Sequence, residues 1–195
     1  MDTATALGSL FAAFGLSGAA GLNAWLPLFA SALLARLEVV DLAAPFDELQ
    51  TTTGLVVLGT LMAVDFVGDK VPAVDHVLHT AGALIAPASG AVLFTGQTGL
   101  ETDLPGAVAV VLGAIVAGSV HAERATVRGG STFGTGGTAN PIVSFAEDVG
   151  SGVLVAVAFL LPILAFLLVV GLLAAGTFAV LRVRRALRAR RPNRS

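Results

Sequence analysis

Residues 149–181, VGSGVLVAVAFLLPILAFLLVVGLLAAGTFAVL, contain no charged side chain. As one helix the segment would extend about 50 Å, against a bilayer hydrocarbon core of about 30 Å. So apolar a run reads as membrane-embedded, and its length calls for a break, which Pro162 is placed to supply. Two readings follow. If Pro162 marks a tight turn, two spans are present, and the parity puts Lys70, Arg124, Arg128 and the C-terminal tail on one side. The stretch from Leu160 to Leu164 is very apolar for an exposed turn, however. The second reading is therefore a single long helix running into the tail, preceded by a re-entrant half-helix opening at Asn140.

The N-terminal part repeats the problem. From Ala4 to Leu34 no residue is charged, which would make a helix of about 46 Å. Gly15, Gly18, Gly21, Asn23 and Pro27 offer the interruption, as two half-helices or a kinked span. Further spans are expected at 51–67, at 80–95 (short, interrupted by Pro87, Ser89 and Gly90) and at 104–120. An amphipathic piece covers 71–79, a Gly/Ser/Thr-rich loop covers 129–138, and Asn140-Pro141 opens a helix. With 55% hydrophobic and 12% charged residues and a mean hydropathy of +0.88, a soluble domain is excluded. The expected fold is an all-α polytopic membrane bundle of five or six spans with interrupted or re-entrant helices. One domain fills 1–181, and the basic stretch 182–195 forms a tail.

The acidic opening Met1-Asp2 does not suit a secretory leader, so the first apolar stretch reads as a retained span. Seven of the eleven basic residues lie between Arg182 and Arg194, which predicts a cytoplasmic C-terminus in a cell (inner) membrane. That tail also suits anionic lipid. It lacks the aromatic residues of a nucleic-acid surface. Small residues four apart, Gly59 and Ala63, Gly113 and Ala117, Gly171 and Ala175, suit close helix packing, and a homo-oligomer is compatible with such stripes. Cysteine is absent, which removes thiolate chemistry, and no nucleotide-binding or hydrolase motif is present. Nothing demands a classical enzyme, and no cofactor is implied beyond a bound cation.

Carboxylates inside the apolar segments carry the functional reading, because charge at membrane depth costs roughly 2.5–3.5 kcal/mol per residue. Asp65 and Asp69 share a helical face with Lys70 beside them. On the helix opened by Asn140, the residues Asn140, Ser144, Glu147 and Ser151 form a polar stripe with Asp148 on its flank. Lys70 is the natural counter-ion for Glu147 or Asp148. Asp75, His76 and His79 could offer a carboxylate and two imidazoles to a metal. His121, Glu123, Arg124 and Arg128 read as an interface anchor. The approaches Gly21-Leu-Asn23 and Gly137-Thr-Ala-Asn140 resemble each other, and paired interruptions of this kind point to an internal duplication around a midplane site.

The stretches Gly21-Leu-Asn23-Ala-Trp25-Leu-Pro27-Leu, Val64-Asp65-Phe-Val-Gly-Asp69-Lys70-Val-Pro72-Ala-Val-Asp75 and Asn140-Pro141-Ile-Val-Ser144-Phe-Ala-Glu147-Asp148 resemble the bacterial membrane-protein family catalogued as domain of unknown function 4126. The resemblance covers nearly the whole chain and implies a fold but no chemistry. More distantly, Gly68-Asp69-Lys70 is similar to part of the Glu-x-Gly-Asp-Lys/Arg-Ser/Thr motif of calcium/manganese-proton exchangers. Here Asp65 sits one residue too far upstream, Val71 replaces the hydroxyl residue, and the second half has no Gly-Asp-Lys.

The expected function is a small transporter or channel-like protein that handles a cation, proton or small polar solute. Asp65, Asp69, Lys70, Glu147 and Asp148 would form its site, with Asn23, Asn140 and Ser144 lining it. Alternating protonation of Asp65 or Glu147 would couple to movement. The alternatives are an assembly factor whose charges are an interhelical ion-pair network, and a metal-dependent membrane enzyme acting on lipid head groups.

Overall fold

A computed structural model describes residues 2–68, 70–99 and 102–189. Seven α-helices are present among them: α1 Thr3–Leu22, α2 Trp25–Arg36, α3 Thr52–Gly68, α4 Pro72–Thr98, α5 Gly106–Thr135, α6 Asn140–Leu160 and α7 Pro162–Ala189. A short 3-10 turn spans Phe46–Gln50. Five of the helices, α1 and α4 to α7, are long and apolar enough to cross a membrane, while α2 and α3 are shorter apolar helices. The surface is inverted relative to a soluble protein. Leu84 is 80% exposed, Leu160 78% and Ile142 74%, whereas the interior is built largely of alanine, glycine and serine. Side chains of this kind meet lipid tails, and the chain is a multi-pass membrane protein.

Helix α1 is the axis on which the bundle is assembled. Its Gly15, Gly18 and Gly21 do not break it, contrary to the sequence expectation; they let neighbours approach. A Cβ at Gly15 would stand 2.7 Å from Ala165 and 2.9 Å from Ala158, one at Gly18 would strike Val169, and one at Gly21 would meet Val120 and the carbonyl of Ala117. Going down α6 from Ser151 to Ala158, the partners on α1 run back from Ala19 to Gly15. Along α7 from Ala165 to Val169 they run forward again, from Gly15 to Gly18. Helices α6 and α7 are therefore antiparallel, and Leu161-Pro162 is the tight turn between two spans. The apolar character of that turn suits its place at the end of a lipid-facing hairpin.

Two other expectations are corrected. The amphipathic piece and the interrupted third span are one helix, α4, which continues through Pro87. The helix holds because it is clamped on both sides: Ser17 Oγ donates to the carbonyl of Gly90 at 3.0 Å, and Gly90 packs directly on Gly113 and Ala117 of α5. The glycine-rich loop is also shorter than its composition suggests. Helix α5 runs to Thr135 and ends on Gly136, whose φ of 62° is the left-handed geometry of a helix C-cap. At its C-terminal end α7 continues past Arg182 to Ala189, so the first part of the basic tail is helical.

The break that matters lies at Asn23. Its backbone is extended, with φ −143° and ψ 119°, and its Oδ1 accepts from the N–H groups of Trp25 and Leu26, both at 3.0 Å. Asn23 is thus the N-cap of α2, and Pro27 falls in the first turn, where its missing N–H costs little. From this vertex α2 turns back along the bundle. Phe29 lies over Gly59 of α3, and Arg36 reaches the carbonyl of Gln50. Helix α3 then returns to bring Asp65 beside Asn23.

Candidate functional site

The amide of Asn23 joins the two acidic regions. Its Nδ2 donates to Asp148 Oδ1 at 2.8 Å and to Asp65 Oδ2 at 3.2 Å. One side chain thereby caps α2 with its oxygen and holds carboxylates of α3 and α6 with its nitrogen. Asp148 is buried, and its second oxygen pairs with Lys70 Nζ at 3.4 Å. The same Lys70 ammonium lies 3.7 Å above the ring of Phe66, a cation–π contact that helps hold it near the apolar surface. Asp69 lies outside the described residues.

Glu147 belongs to a second arrangement. Its Oε2 accepts from Arg124 Nε at 2.7 Å and from Arg128 Nη2 at 2.7 Å, with all three side chains at most 10% exposed. Arg124 and Arg128 are spaced one turn apart on α5, so both can reach a single acid on α6. The arginines that read as an interface anchor neutralise a carboxylate between helices. Nor is Glu147 part of the innermost stripe. The buried line of α6 is Ser144, Asp148, Ser151, Val155 and Ala158, turned toward α1, and Ser151 Oγ donates to the carbonyl of Ala19 at 3.0 Å. Glu147 sits one step round the helix. Asn140 is not brought to Asn23; it exchanges hydrogen bonds with Thr132 at the end of α5. The two asparagines therefore play different parts.

Beside Asp65 lies a pocket of about 160 Å³, lined among others by His79, Gly82, His121 and Arg124. The rings of His79 and His121 are 5.2 Å apart and inclined by 30°. The side chains of Asp75 and His76 lie outside the described residues. Among the described residues no group of three or more histidines and acids is placed to hold a metal ion. His121 was not among the sequence candidates, yet a signal for it exists. Gly113, Ala117 and His121 recur every four residues on α5; Gly113 and Ala117 pack on Gly90 of α4, and His121 packs on Gly82. The histidine continues a small-residue stripe into the packed seam.

Asp148 stands eight residues into α6, about 12 Å from its start and about 18 Å from its end. An all-helical membrane bundle with charged side chains held between its spans, at the vertex of a broken helix, is the class so defined. Residues 10–182 match the family described as Domain of unknown function (DUF4126), and the chain belongs to that family. No curated protein and no solved structure matches it.

Proposed function

We propose that the chain is a small transporter or channel-like protein that passes a cation, a proton or a small polar solute through the charged end of its bundle. The observation that carries this is the Asn23 junction. Two acids distant in sequence, Asp65 and Asp148, share one amide, and Asp65 lines a pocket between the helices. Buried ionisable groups in a bilayer are expensive and are associated with pathways for ions and polar solutes. Interrupted helices at such groups are the usual means of supplying polar contacts there. The opposite half of the bundle is closed by Ala13, Phe94 and Ala109, with Phe14 edge-on to Phe94. This arrangement suits a site open from the charged end and shut from the other. Lys70, Arg124, Arg128 and Arg182 gather at that end, and the bias of basic residues favours the cytoplasmic side of a cell inner membrane for it and for the C-terminus.

The purified protein reconstituted in vesicles tests the proposal. Wild-type vesicles should pass a proton, potassium or small-solute gradient faster than protein-free ones, and the pair Asp65→Asn with Asp148→Asn should return the rate to the protein-free level while the protein stays folded. No flux of any of these from correctly folded wild-type protein would sink it. The double arginine clamp on Glu147 favours a second reading, a structural or assembly protein whose ion pairs fix helix register. Under that reading the same substitutions lower folded yield and no flux is present to lose.

A further inference from the structure

Helices α5 and α7 both run in the direction of α1, toward the charged end of the bundle, and Glu123 of α5 packs on Gly176 of α7. Between these two helices and the first turns of α6 lies a cleft of about 660 Å³, within the span of about 300–1,000 Å³ usual for ligand sites. Val120 and Val127 of α5, Ala146 of α6, and Ala175, Ala179 and Val180 of α7 line it. The alanines keep its floor low, and Val127, 61% exposed, marks its open rim. Arg124 and Glu147 also line the cleft and are paired with each other. The Glu123 carboxyl is seated against Gly176, one turn short of Val127.

An apolar cleft left unfilled in a bilayer forfeits the dispersion contacts of its walls, and an acyl chain has the shape and chemistry to restore them. Charge at the mouth selects the head group. Residues 124–146 and 149–195 contain no acid, so the parts of α5 and α7 that lead out of the cleft carry no negative side chain. Arg182 and Arg185, both exposed, follow Val180. Arg182 comes three residues after Ala179, a spacing that makes the two neighbours on the helix surface. Its guanidinium lies 5.2 Å from the centre of the Phe178 ring, which helps hold it at the edge of the apolar surface. Basic side chains so placed attract anionic lipid. From the cleft and its basic mouth we infer that the space between α5 and α7 is a binding site for one anionic phospholipid, with an acyl chain along Ala175 and Ala179 and the phosphate at Arg182 and Arg185. The site is independent of the transport reading.

Native mass spectrometry of the full chain in mild detergent tests it, with phosphatidylglycerol or phosphatidylcholine of identical acyl chains added in steps. Wild-type protein should retain one phosphatidylglycerol and bind phosphatidylcholine about tenfold more weakly. Arg182→Gln combined with Arg185→Gln, both at exposed positions, should bring phosphatidylglycerol down to the phosphatidylcholine level. Ala179→Phe, which fills the cleft from an exposed position, should remove retention of both lipids. Leu167→Phe adds bulk on the same helix outside the cleft, where Leu167 is 56% exposed, and should leave binding as in wild type. Phosphatidylglycerol held by Ala179→Phe as tightly as by wild type would overturn the inference. Equal retention of the two lipids by wild-type protein, or an undiminished preference in the double arginine variant, would overturn it as well.

Discussion

Replacing Glu147 with glutamine should destabilise the folded protein by about 3–5 kcal/mol, since it removes the carboxylate charge that the largely buried guanidinium groups of Arg124 and Arg128 share. Arg124 Nε and Arg128 Nη2 both reach one oxygen, Oε2, at 2.7 Å, and Arg128 is 5% exposed. Neither can swing into water without unpacking the end of α5 from α6. Glutamine has the same shape, so the change isolates charge from packing. The effect should appear as a lowered unfolding temperature in mild detergent and as faster unfolding in a denaturing one. Arg128→Met should cost less, because Glu147 keeps Arg124 and the methionine stem still fills the space. If Glu147→Gln unfolded like wild type, the clamp would not hold α5 to α6.

Asn23→Ala should be nearly as damaging and should affect function as well as stability. It removes the N-cap of α2, typically worth about 1 kcal/mol. It also withdraws the donor that Asp65 and Asp148 share, at a further cost of about 1–3 kcal/mol. Summed, the loss should be roughly 2–4 kcal/mol. Asn23→Ser keeps a capping oxygen but cannot donate to both acids from the same position. It should therefore recover part of the stability but little of the transport. Thermal unfolding and vesicle flux measured on the two variants separate these contributions; equal recovery of both would mean that the junction serves only as a cap.

Much of the architecture is legible in the residues themselves. The uncharged runs at 4–34 and 149–181 are too long for one crossing, and both break where Asn23 and Pro162 stand. Lys70 as a counter-ion across the two halves follows from its position beside Gly68 at the end of α3, and it pairs with Asp148. Other features depend on tertiary contacts that local pattern does not carry. Pro87 and Gly90 read as breakers, but α4 holds because α1 and α5 pack against it there. Residues 129–135 read as loop by composition, but α5 carries them as a helix.

On α6 two adjacent acids differ by about 100° in direction, and polarity alone does not say which of them faces inward. The small residues do: Ser144, Ser151 and Ala158 share the face of Asp148, and only a face of small side chains fits against the glycines of α1. His121 was hidden for a related reason. A histidine near two arginines at a span end resembles a boundary residue until Gly82 on another helix is seen to make room for its ring.

The central claim is that Asp65 of α3 and Asp148 of α6 meet at Asn23 inside the membrane. The chain has no cysteine, so Asp65→Cys combined with Asp148→Cys places two thiols on a clean background where the carboxylates now lie within 3.2 Å of one nitrogen. Mild oxidation in native membranes should join them within a single chain, shown as a reducible mobility shift, with each thiol poorly labelled by a membrane-impermeant maleimide. Two thiols that never cross-link and that both react freely with the impermeant reagent would contradict the account.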